Sequence, residues 1–184
     1  FLTNTQCTAK DIDQLIKKAH ENPMSVAAHN NLGLAYSNMG KYNEAIIEYK
    51  KALDIDPNQA LILNNMGSTY HQMGLYNQAI NEYKAGLKLM PTSHKILNNL
   101  GISLITINKS EDAIKVFKKA LSNKPNASQI HNNLGAAYLK LKKYNSAIKE
   151  FEEEVKISPE DFRPHKHLGT IYYELGKYNE AISA

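Results

Sequence analysis

Apolar positions in this chain keep helical spacing over short stretches and a second, longer period over the whole. Leu32 and Tyr36, then Ala45, Tyr49 and Ala52, fall three or four residues apart, as one buried stripe of a helix requires. The pattern then returns every 34 residues. Leu/Met-Gly pairs stand at Leu32-Gly33, Met66-Gly67, Leu100-Gly101, Leu134-Gly135 and Leu168-Gly169. Alanines keep the step at Ala45, Ala79, Ala113, Ala147 and Ala181, and prolines at Pro23, Pro57, Pro91, Pro125 and Pro159. Large rings do so at Tyr36, Tyr70, Tyr138 and Tyr172, and again at Tyr49, Tyr83, Phe117 and Phe151. A fixed period of this length marks stacked supersecondary units, none able to bury its apolar face alone.

Each unit reads as a pair of helices. In the first copy, helix A is expected over Val26 to Asn38 and helix B over about Tyr42 to Asp56. Gly40 between them supplies the positive φ that closes a helix, and Pro57 stops helix B. Asn43, ahead of Glu44-Ala45, is expected to cap helix B. Gly33 inside helix A costs ~1 kcal/mol relative to alanine. A cost repeated in every copy implies close approach, with Gly33 and Ala45 removing bulk where the two helices cross and Leu32, Tyr36 and Tyr49 filling the space around them.

These residues closely resemble the tetratricopeptide repeat, whose signature places Leu-Gly and Tyr in helix A, then Ala, an aromatic, Ala and Pro. The resemblance implies an all-α fold, an α-solenoid of antiparallel helix pairs wound as a right-handed superhelix. It divides the chain into repeats at 26–59, 60–93, 94–127 and 128–161 and a partial fifth at 162–184. A segment over 1–25 precedes them, with a helix-B-like half repeat at about Ala9 to Glu21. Several copies depart from the signature. Leu104 replaces the helix A tyrosine, Gly86 and Glu154 replace the helix B alanine of Ala52 and Ala120, and Asn108 and Lys142 stand where Gly40 and Gly74 close the turn. The turn at Asn108 is expected to be the loosest, and Lys142 to carry strain.

The resemblance also implies that consecutive A helices line a concave groove that holds extended peptides. Helical geometry puts the groove face opposite Leu32, Gly33 and Tyr36. Four copies carry an asparagine doublet there: Asn30-Asn31, Asn64-Asn65, Asn98-Asn99 and Asn132-Asn133. Asparagine is a poor helix former, and a carboxamide can pair with both N–H and C=O of an extended backbone. The inner asparagines (Asn31, Asn65, Asn99, Asn133) are the stronger candidates for ligand contact; the outer ones equally suit bridging of neighbouring helices. The ladder resembles that in the repeats of O-GlcNAc transferases. Leu34, Leu61, Ile102, Ile105 and Leu139 make the middle of the face apolar, while Lys95, Lys140, Arg163 and Lys166 add positive charge. The expected partner is an extended protein segment, apolar in the middle and acidic at one end. The lysine-rich clamp that some members use for acidic chaperone tails fits badly, because Asn30, Leu34 and Asn99 stand where it needs other residues.

Composition narrows the alternatives. Hydrophobic residues at 42% and charged residues at 22% suit a globular protein. The net charge of +4 is spread among alternating Lys and Glu, which reads as a solvated face rather than a nucleic-acid patch. No apolar run reaches the length a membrane span needs. Cys7 is the only cysteine, so internal disulfides and Cys-based zinc sites are excluded. The cysteine count does not fix the compartment; the cytosol is favoured, with a periplasmic or exported setting compatible too, and Phe1-Leu2 is too short to establish a cleaved signal. The first residue, Phe1, and the last, Ala184, suggest a piece of a longer protein.

No metal, cofactor or catalytic role is expected. His29, His131 and His165 share one helix A position and read as packing residues. Glu152-Glu153-Glu154 reads as a solvated run. Two other functions remain open on sequence: self-association by end-to-end stacking of repeats, and a substrate-recruiting arm of a larger enzyme.

Overall fold

A computed structural model describes residues 9–183. Cys7 and Phe1-Leu2 lie outside the described residues. All regular structure among the described residues is helical. The chain divides into two compact units, residues 1–91 and 92–184.

In the first unit, α1 (Ala9–Glu21) packs on α2 (Val26–Asn38), which pairs with α3 (Tyr42–Ile55). α4 (Ala60–Gln72) pairs in the same way with α5 (Tyr76–Leu89), and α3 and α4 join the pairs. The second unit repeats the arrangement with α6 (His94–Thr106) and α7 (Ser110–Asn123), α8 (Ser128–Lys140) and α9 (Tyr144–Ile157), and α10 (Phe162–Glu174) and α11 (Tyr178–Ser183). The expected helix A and helix B of the first copy are α2 and α3, and the half repeat is α1.

Four rings explain the glycines of α2, α4, α6 and α8. Tyr49, Tyr83, Phe117 and Phe151 are all fully buried or nearly so. Each packs against the glycine of its own pair: a Cβ on Gly33 would sit 2.7 Å from Tyr49, and one on Gly101 2.4 Å from Phe117. The close approach is therefore ring against glycine, with Ala45 contributing its backbone oxygen 3.2 Å from the same point.

Every A-to-B turn closes by one hydrogen-bond pattern. Gly40 at φ 75° donates to Ser37 O, and Lys41 donates to Tyr36 O. The latter bond spans six residues, as in a Schellman closure. Asn108 at φ 59° and Lys142 at φ 55° take the glycine's place with the same bonds. The Asn108 turn has an additional tie, because Lys140 Nζ donates to Ile105 O at 3.2 Å. Asn43 does not cap α3. It is the helix's second residue, the boundary falls at Lys41, and no side chain caps it, because the left-handed Gly40 brings the chain directly into the helix.

Candidate interaction face

The two members of an A-helix asparagine doublet do different work. Asn65 Nδ2 on α4 donates to Asn30 Oδ1 on α2 at 3.1 Å. In the second unit, Asn133 Nδ2 on α8 donates to Asn98 Oδ1 on α6 at 2.8 Å. The outer asparagine of one copy is thus an acceptor that fixes the inner asparagine of the next. A carboxamide has two N–H groups and one carbonyl, so Asn65 and Asn133 each retain a second N–H and an oxygen. Asn31 is exposed, Asn65, Asn99 and Asn133 are half-buried, and Asn98 is buried beneath its bond. Burial places Asn98 among the bridging residues rather than on open surface.

Further bonds tie the same helices together. Ser37 Oγ lies 2.9 Å from Thr69 Oγ1 and 3.3 Å from Gln72 Oε1. Asn64 and Ser68 are half-buried neighbours on the α4 face. Leu34 and Leu61 are exposed on the first unit's face; Ile102, Ile105 and Leu139 are half-buried in the second. Lys95 and Lys166 are exposed.

The basic end is weaker than the sequence suggests. Arg163 pairs with Asp161, its Nε 3.0 and 2.9 Å from the two carboxylate oxygens and its Nη2 closer still. The guanidinium holds the Asp161 carboxyl down to about 2. Lys140 is engaged with the Ile105 carbonyl and Asn108 Oδ1. Lys166, like Lys95, is exposed.

The glutamate run is not a solvated face throughout. Glu152 is exposed, but Glu154 is fully buried. It stands at the helix B position of Ala52, Gly86 and Ala120, which faces inward. Its Oε2 accepts from Asn132 Nδ2 at 2.8 Å, and its Oε1 has no partner. Burial pushes its carboxyl up, against the lowering effect of the Asn132 bond. The departure from alanine at this position was the only signal of it in the sequence.

Two of the equivalent histidines are more than packing. His29 Nδ1 lies 2.6 Å from Glu48 Oε2 and its Nε2 3.0 Å from Pro23 O. Three periods on, His131 Nδ1 lies 2.8 Å from Glu150 and its Nε2 2.9 Å from Pro125 O. Each pin ties helix A to helix B and to the turn before it. Burial pushes the Glu48 carboxyl up, but hydrogen bonds from Lys51 and His29 outweigh it and leave it below its ordinary value. The Glu150 hydrogen bond raises His131, outweighing burial, with Glu153 adding to it. The co-occurrence of Pro23, His29 and Glu48 with Pro125, His131 and Glu150, absent where Leu63 and Leu97 stand, was available as a signal. Among the described residues, no His, Cys, Asp and Glu cluster suited to a metal occurs, and no helix is long and apolar enough to cross a membrane.

Comparison with known proteins gives a consistent picture. Models described as "TPR repeat" match residues 38–74 and 67–106, and one described as "Tetratricopeptide repeat" matches 98–162. No curated protein sequence matches significantly. Among solved structures, MamA is similar at 29% identity and TM-score 0.77, over 83% of this chain and 89% of that one. PilF of Pseudomonas aeruginosa aligns at 22% identity and TM-score 0.81, over 95% and 81%. YrrB, described as a TPR protein with an unusual peptide-binding site, aligns at 17% identity and TM-score 0.74, over 94% and 89%.

Proposed function

We propose, since this chain belongs to the tetratricopeptide repeat family, that it is a protein-interaction scaffold holding an extended segment of a partner along its A helices. The observation that carries this reading is the paired geometry of the doublets. Asn30 and Asn98 act as struts, and each leaves an inner asparagine fixed in orientation with unused amide capacity. Preorganised amides lose little rotamer freedom when a ligand arrives. A carboxamide with one N–H and one C=O available matches one peptide unit of an extended chain. Such contacts read the partner's backbone, so they tolerate varied side chains. The apolar positions Leu34, Leu61 and Ile102 then contribute area rather than register.

Peptides selected from a random display library against the wild-type chain test this directly. Replacing single peptide side chains with alanine should weaken binding by less than about threefold at most positions. N-methylation of two central peptide bonds should weaken it by a factor of about ten or more, because each methyl removes a donor worth roughly 1 kcal/mol. Binding that follows side chains and ignores N-methylation contradicts the ladder.

A further inference from the structure

The turns that lead into successive A helices differ in the acceptors and charges they carry. Before α4, Asp56 accepts the backbone N–H of Asn58 at 2.9 Å and the Gln59 side-chain amide at 2.6 Å. Before α10, Asp161 accepts the backbone N–H of Arg163 at 3.0 Å. Ser25 and Ser93 cap α2 and α6. The entry to α8 has no such acceptor. Its cap position is Ala127, no side chain caps the helix, and Lys124 stands two periods after Asp56.

A cavity of about 340 Å³ opens at this entry, lined among others by Lys95, Asn98, Lys124, Asn126, Ser128 and Gln129. The ionisable residues lining it are two lysines and a histidine, His94, with no carboxylate. Asn98 is more than nine-tenths buried and its Oδ1 is taken by Asn133, so the group it can offer the cavity is its NH2. Desolvation first, then Lys124 and Lys95, hold the His94 imidazole below its ordinary value, so both ammonium groups act on the same space. The uncapped first turn of α8 adds the positive end of a helix dipole.

We infer that this cavity is a carboxylate-binding subsite that takes an acidic side chain of the segment held on the second unit's A helices. At the equivalent place in the first unit, before an α4 that also lacks a side-chain cap, the chain carries a carboxylate, Asp56. In the second it presents cations instead. The inference rests on the peptide-binding reading above and deepens it by naming an acidic residue in the partner.

Titration of the ¹⁵N-labelled full chain with glutarate tests it, with inorganic phosphate and sodium chloride at matched ionic strength as separate arms. The Ser128, Gln129 and Ile130 amides should shift saturably with glutarate. Lys95→Gln with Lys124→Gln should weaken that response roughly tenfold. Lys124→Asp, which puts a carboxylate where the first unit has Asp56, should abolish it while helicity is retained. Asn65→Ala should leave it unchanged, so failure of the ladder and failure of the subsite are separable. Shifts no larger than those from sodium chloride, saturation by phosphate alone, or a response indifferent to the lysine variants would overturn the assignment.

Discussion

Glu154 and the alanines at 52 and 120 occupy one position in the repeat, and all three are fully buried. The alanines pack there without polar atoms. Glu154 brings a carboxyl group with one oxygen bonded to Asn132 and the other unpaired. An unsatisfied buried polar atom costs about 1–3 kcal/mol. Glu154→Ala is therefore expected to stabilise the chain by about 1 kcal/mol after the loss of packed volume, read as a higher urea midpoint with unchanged slope. A lower midpoint would mean that the carboxyl's packing outweighs its desolvation. The burial of Glu154 was not legible from Glu152-Glu153-Glu154 as a charge run, because a run of like residues on a helix necessarily spans more than one face. Its register against Ala52 held the answer.

At the scale of helices and turns, more of the structure was readable. Pro57 and Gly40 mark ends by constraints on single residues, and α2 and α3 fall where those constraints put them. Asn43 was misread as a cap because a preferred residue type near a boundary says nothing of which residue the preceding turn leaves at that boundary. The histidine pins were half legible: their shared position showed, but a partner 19 residues away on another helix did not. Their geometry has a pH consequence. His131 faces Glu150 on one side and the Pro125 carbonyl on the other, so both ring nitrogens are placed to donate, as imidazolium does. Its folded pKa is raised above 6.5, chiefly by the Glu150 bond. Folding then favours the protonated ring. The stabilisation is complete below 6.5 and is lost as pH rises through the raised value. His131→Leu with Glu150→Val recreates the Leu97 and Val116 pair of the third copy. Between about pH 6 and 8, thermal melts of the wild type should fall more steeply than those of this double variant. Parallel melting curves would show that the pin does not titrate with folding.

Across the molecule, the residues that keep the period and those that do not have separate roles. Leu, Gly, aromatic, Ala and Pro recur because rings pack on glycines and turns close on left-handed residues, and this made the fold legible in the sequence. The candidate face was legible only as a set of positions. Which amides are struts, and that Asn132 reaches a buried carboxylate, depend on partners from neighbouring helices, which spacing within one helix does not report. The scaffold reading turns on the inner asparagines as ligand contacts rather than structural bridges. Asn65→Ala with Asn133→Ala, one in each unit, separates the two roles when helicity, melting and affinity for a selected peptide are measured on the same preparations. Loss of two partly exposed hydrogen bonds should lower stability by no more than about 2 kcal/mol, while affinity falls by a factor of about ten or more. A sharp drop in melting with unchanged affinity per folded molecule would show that the asparagines only hold the helices together.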